Sequence, residues 1–176
     1  MTTNPIDSIT EQVTGKKNLD SPPLHLWHPD LTGDIDIVIK SDGTWWHEGS
    51  PIKRDALVQL FASILRREED GEYYLVTPVE KWRITVELHA LLVTDVERVS
   101  EEGQEALAVT LNTGKEFLVG PQTPLISEAE RDGAAALALP NGLSALFTRA
   151  AWYRLIELAE MDRGRALVKS LGHTYD

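Results

Sequence analysis

The densest run of chemistry-bearing side chains is Thr77-Pro78-Val79-Glu80-Lys81-Trp82, which sets a hydroxyl, a carboxylate, an ammonium and an indole in one short stretch. Pro78 cannot donate to a strand ladder, so the stretch reads as a break between one strand (Tyr73 to Val76) and another running from Val79 to Leu88. A break leaves backbone N–H groups free, and free N–H groups beside an ammonium suit a phosphate or carboxylate. Lys81 and Arg54 would offer charge to such an anion. Trp45 or Tyr74 would stack on a planar ring, Glu80 would accept donors or orient Lys81, and Thr77 would add its hydroxyl. The plainer reading is a domain junction in which Glu80 pairs with Lys53, Arg54 or Arg83 and the aromatics fill a seam. In both readings a buried Glu80 needs a partner, because an unpaired buried carboxylate costs too much.

The remaining candidates carry weaker signals. Histidines 25, 28, 47, 89 and 173 are scattered, and none stands in a metalloprotease-like spacing. His25 and His28 lie near Asp30, but packing or surface roles explain them more simply than a metal. Asp34 and Asp36 share one strand face about 7 Å apart. Paired carboxylates can bind Mg²⁺ or transfer protons, although strand-edge solvation accounts for them. Ser50 precedes Pro51 and reads as a helix cap, not a nucleophile. The chain has no G-x-S-x-G motif, no Walker-type loop and no dinucleotide fingerprint. An enzyme would need Asp34, Asp36 or Glu80 to converge with His47 around a cavity. No catalytic residue, metal or cofactor is implied.

Composition bounds the partners. The chain has 176 residues, 42% hydrophobic and 26% charged, with a net charge of −11 and no cysteine. Such a surface repels nucleic acid and anionic lipid. Without cysteine, disulfides and thiolate chemistry are excluded, and a reducing compartment is allowed. No apolar leader or membrane-length run is present, so the expectation is a cytoplasmic protein with no membrane insertion.

The elements that must position these groups form a pattern seen twice. Asp42-Gly43, a strand from Thr44 to Glu48 and a helix capped by Ser50 are echoed by Asn141-Gly142, a strand from Leu143 to Phe147 and a helix capped by Thr148. The first helix carries Leu57, Leu60, Phe61, Ile64 and Leu65 and closes on Arg66-Arg67. The second, a long helix near 149–161, buries Trp152, Leu155, Ile156 and Ala159, with Gly164 just past its end. Ahead of the first copy, Ile35, Ile37 and Ile39 alternate with polar residues as a strand. Residues 106–111 and 115–119 read as a hairpin, and residues 134–139 as the arm of another. The expectation is an α+β fold of two related small units. A mobile arm spans residues 1–20, an N-terminal unit 21–83, and a β-rich C-terminal unit 84–176. The pattern leaves open the structure of residues 165–176 and which of Trp45 and Trp46 is buried.

The motifs GDIDI, DGTW, GSPI, LVxLF and YYLVTPVEK follow in order between residues 33 and 87. That stretch resembles a bacterial family of uncharacterised proteins, domain-of-unknown-function family 1285 (DUF1285). The resemblance implies a duplicated two-domain α+β core, a C-terminal domain superficially like pleckstrin-homology folds, and a ligand site at the interface of the two units. It also implies a nucleotide-like ligand and a part in signalling. The interface motif falls on Thr77 to Lys81, DGTW on Asp42 to Trp45 and GSPI on Gly49 to Ile52, with no catalytic residue to carry over. Trp82 stands where a smaller apolar residue is expected. The leading reading is therefore a small-ligand-binding or signal-transduction accessory protein, with Thr77, Glu80, Lys81, Arg54, Trp45 and Tyr74 as its candidate site. The rival is a protein-interaction module using an exposed tryptophan, or a structural protein with no small-molecule site; an enzyme comes third.

Overall fold

Ile35, Ile37 and Ile39 are buried along β1 (Gly33–Ile39) while Asp34 and Asp36 face solvent, the pattern of a strand with one covered face. The computed structural model describes residues 5–14, 23–128 and 134–175. Within the next turn, Asp42 Oδ1 accepts from the Thr44 amide at 3.0 Å, and the chain returns as β2 (Trp45–His47). Trp45 is opposite Ile39 and buried; Trp46 is on the other face, half-buried under the Lys40 ammonium at 4.6 Å. The two tryptophans thus divide between the faces, as strand alternation requires.

Ser50 does not cap a helix. Glu48 and Gly49 take φ of 49° and 81°, and two consecutive left-handed residues make the tight turn that hairpins favour. The turn folds Ser50–Pro51 back as β3, paired with Trp46 and His47, where proline is tolerated at a sheet edge. The helix, α2, begins later and spans Asp55–Ser63, with Arg54 at its N-cap and no side-chain cap. Its anchor is Phe61, fully buried and stacked on Trp45 at 6.3 Å. Nor do Arg66 and Arg67 end the helix. They lie in β4 (Leu65–Arg67), held opposite Tyr74 and Tyr73 of β5 (Tyr73–Val76) by backbone pairing that outweighs any helical preference. β6 (Lys81–Val86) then runs antiparallel to β5 and parallel to β1. The sheet order is β3-β2-β1-β6-β5-β4.

The expected mobile arm of residues 1–20 contains a helix, α1 (Pro5–Thr14), in which Ile9 is fully buried. The rest of that arm, 1–4 and 15–20, lies outside the described residues. The chain divides into two compact units between Leu88 and His89. The division does not fall after Arg83, because β6 runs through that position as one of the two central strands.

The second unit holds β7 (Leu91–Glu101), β8 (Gln104–Leu111), β9 (Glu116–Leu118), β10 (Leu125–Glu128), β11 (Ala134–Ala138) and β12 (Ser144–Phe147). Their order is β10-β11-β12-β7-β8-β9, with β12 parallel to β7. Counted within each unit, the two sheets have the same strand order, two three-stranded meanders joined by a parallel central pair. Each unit also carries a strand–turn–strand motif that leads into a helix, so two similarly built sheet-and-helix units stand in the structure as expected. The motif opens the first sheet and closes the second.

Thr148 does cap its helix: α3 spans Arg149–Leu158, and Thr148 Oγ1 accepts from the Ala151 amide at 3.2 Å. α3 ends earlier than expected, and Gly164 does not cap it. Residues Glu160–Asp162 form β13, which pairs with β14 (Arg165–Ser170), and β14 pairs with β15 (His173–Tyr175). The tail is therefore a three-stranded sheet. On α3 the buried side chains are Ala151 and Leu155, whereas Trp152 is half-buried and Ile156 exposed. The apolar side of α3 is wider than the surface its own unit covers.

Candidate functional site

Thr77 to Lys81 is a closed hairpin, not an open break. The Thr77 amide donates to the Glu80 carbonyl at 2.9 Å, and the Glu80 and Val79 amides donate to Thr77 Oγ1 at 2.9 and 3.3 Å. The backbone donors expected to be free are therefore used by the fully buried Thr77. Pro78 fits because the loop position it occupies needs no donor.

The two sides of β6 then part company. Glu80 and Trp82 point to the same face as buried Ile84, where Glu80 Oε1 accepts from Ser8 Oγ of α1 at 2.9 Å and Oε2 from the Trp82 indole at 3.3 Å. Of the cations nearby in sequence, Lys81 bonds Glu68 and Arg83 bonds Asp34. Lys81 and Arg83 point the opposite way, into a row set by strand register. Asp34, Arg83, Tyr74 and Arg66 stand side by side across β1, β6, β5 and β4. Arg83 Nε meets Asp34 at 2.7 Å. Arg66 grips Glu68 Oε2 through Nη2 at 2.6 Å and Nε at 3.1 Å. Its Nη1 reaches the carbonyls of Leu24 and Trp27 at 3.0 and 2.9 Å and so fastens the short helical turn at Leu24–Leu26. Lys81 Nζ bonds Glu68 Oε1 at 2.9 Å and sits 4.6 Å above the Tyr74 ring, whose hydroxyl donates to Asp70 at 2.5 Å.

This lattice is electrostatically closed. Burial tends to raise the Glu68 carboxyl, but hydrogen bonds from Lys81 and Arg66 outweigh it and hold the group below its usual 4.5. The bond that Tyr74 donates to Asp70, then burial, push the phenol up to about 12. The same bond, with the Glu72 amide, lowers Asp70. The sign for Tyr74 follows. The unfolded phenol titrates near 10, so the folded chain binds the extra proton between 10 and about 12. Its stabilisation is complete below the unfolded value and disappears as pH rises through the folded one. In a phenolate absorbance titration after a rapid pH jump, we expect a late wave near pH 12 that Tyr74→Phe removes. An unchanged late wave in that variant would refute the assignment.

Of the candidate residues, the structure brings Tyr74 and Lys81 into contact and joins Thr77 with Glu80 in one turn. Trp45 is on the opposite face, packed on Phe61, and Arg54 is exposed at the start of α2. Asp34 and Asp36 face away from His47, which is opposite Ile37 on the other side of the sheet. No three metal-ligating side chains gather among the described residues. Sequence reading missed Arg66, Glu68 and Asp70. Their signal was the Arg66–Glu68 alternation, visible only if that stretch is read as a strand.

The second unit holds an apolar pocket of about 160 Å³ between α3, the edge strand β10, β11 and the tail sheet. Leu125, Ile126, Ala135, Trp152, Leu155, Ile156, Ala159, Ala166 and Val168 line it, and Ser127 and Tyr175 supply its only side-chain hydroxyls. His89, also in this unit, is buried and lies 2.6 Å from Ser144 Oγ through Nδ1.

Paired six-stranded sheets of one strand order, each with its helix, define a two-unit α+β protein. The chain belongs to the DUF1285 family: residues 22–89 match its N-terminal domain of unknown function and residues 90–176 its C-terminal domain. The crystal structure of a DUF1285 family protein from Silicibacter pomeroyi DSS-3 is similar over 98% of this chain and 94% of that one, with 35% identity and a TM-score of 0.84. A DUF1285 family protein from Shewanella baltica OS155 covers 69% of this chain and 90% of its own, with 33% identity and a TM-score of 0.56. No curated protein matches. No described helix is long and apolar enough to cross a membrane.

Proposed function

We propose that the chain is a non-catalytic accessory protein that binds a small molecule, and that its recognition site is the apolar pocket of the second unit. The observation that carries this reading is the pocket itself, a concave apolar space beside an aromatic ring with two hydroxyls, the usual make-up of a small-molecule site. The Thr77–Lys81 segment supports a nucleotide-like ligand less well. An anion there would have to displace Glu68 from its 2.9 Å contact with Lys81, and Arg83 already holds Asp34. A net charge of −11 argues against nucleic acid as partner, and the absence of cysteine suits a reducing cytoplasm. The pleckstrin-homology likeness of the second unit is what the family resemblance implies, and a six-stranded sheet followed by α3 is the feature in its favour.

Amide-shift mapping with a fragment library tests the site. Hits are expected to move Leu125–Ser127, Trp152 and Val168, and Lys81→Ala should leave their affinity unchanged. Hits that map to Tyr74–Lys81 and vanish in Lys81→Ala would return the site to the first unit. The protein-interaction reading has one observation in its favour. Ile126 and Ile156 at the pocket wall are 42% and 45% exposed, and a partner's apolar side chain could rest on them.

A further inference from the structure

We infer that the pocket of the second unit selects an uncharged single-ring molecule bearing one hydroxyl-type group, with the ring against Trp152 and the polar group directed to Ser127 and Tyr175. This rests on reading that pocket as the recognition site, and it goes further by naming the chemistry of the occupant. Size comes first. A space of about 160 Å³ compares with the ~150 Å³ apolar cavity that takes up benzene in an engineered protein, so one ring fills it.

Charge comes second. No Asp, Glu, Lys, Arg or His lines the pocket. Two ion pairs stand on α3 and the tail sheet, Arg154 with Glu157 and Lys169 with Glu160, each at 3.5 Å. A carboxylate or ammonium entering the pocket would lose water without gaining a counter-ion, a cost that outweighs apolar contact. Polarity comes third. Exposed Ser127 and half-buried Tyr175 place hydroxyls at the pocket wall, and no hydrogen bond within the described residues engages either, so a ligand hydroxyl can take the place of water there. A wholly apolar ligand would cover them unpaired.

Three probes on the full chain test the inference: p-cresol, benzoate and 1-octanol, followed by amide shifts of Leu125, Ser127, Trp152 and Val168. Saturable shifts are expected with p-cresol and none with benzoate. The double variant Ser127→Ala/Tyr175→Phe should weaken p-cresol about fivefold, the loss of one net hydrogen bond. Ala166→Phe, which fills the pocket from an exposed position, should abolish it. Ala159→Leu, from the end of α3, is the second filling variant if the first does not fold. If benzoate or 1-octanol binds at these amides as tightly as p-cresol, the ligand class is wrong while the pocket stands as a binding site. If none of the three moves these amides, the inference and the reading beneath it both fail.

Discussion

Phe61→Ala is expected to lower the stability of the first unit by about 3–5 kcal/mol, the range for deleting a buried aromatic ring. Phe61 is fully buried, and it is the one buried side chain of α2. Nine residues without a side-chain cap do not hold a helix in water. α2 therefore exists because Phe61 docks it on the sheet, stacked against Trp45 with ring planes 30° apart. Removing the ring costs the transfer of its apolar surface, the cavity left behind and the aromatic contact, itself worth about 0.5–1.5 kcal/mol. Denaturant unfolding followed by circular dichroism reads the loss. A cost under about 1 kcal/mol would mean that α2 is held by something else. Trp45→Phe is the informative companion. The Trp45 indole N–H is buried with no hydrogen-bond partner, so this exchange discards an unpaired donor and should cost far less than its burial suggests.

The second large effect belongs to Arg66. Arg66→Met keeps the length and apolar contacts of the side chain but removes its contacts to Glu68 and to the carbonyls of Leu24 and Trp27. The guanidinium and carboxylate are only 13% and 24% exposed, so the lost contacts are not simply replaced by water. Glu68 keeps Lys81 at 2.9 Å, which limits the damage. We expect a loss of about 2–3 kcal/mol, between the values for exposed and buried pairs, with faster amide exchange over residues 23–28. Arg66→Lys should recover less than half of it, because an ammonium cannot reproduce the planar fork. The acid limb gives a second readout. The folded Glu68 carboxyl titrates below 4.5, so its share of stability is present above that value and is lost as pH falls through the folded one. Arg66→Met should flatten that part of the stability–pH curve. Unchanged exchange at residues 23–28 would show that the turn is held without Arg66.

Local patterns were readable where local chemistry decides the outcome. The alternation at Ile35, Ile37 and Ile39, the turn at Asp42-Gly43, the Thr148 cap and the two-unit plan all follow from neighbours along the chain. Reading failed where a distant partner decides. Ser50-Pro51 carries a strong helix-start signal, but Glu48-Gly49 turns it onto β2 before a helix can begin. Arg66-Arg67 suit a helix end by charge, yet β5 recruits them as a strand. The candidate site suffered in the same way. Tyr74 and Lys81 were found because both belong to a dense local motif, whereas Glu68 and Asp70 join them only through the β4–β5 pairing. For Thr77, nothing in the local pattern reveals that its hydroxyl already serves two amides.

The parallel pair at the centre of each sheet bears on how the chain assembles. Within a meander, pairing joins segments close in sequence and can start early. The β1–β6 pair brings Asp34 to Arg83, and its closure spends loop entropy before any contact rewards it. Docking of one half-sheet on the other is then the slow event in each unit. Substitutions along that central line should retard refolding, while those in the outer hairpins should chiefly hasten unfolding.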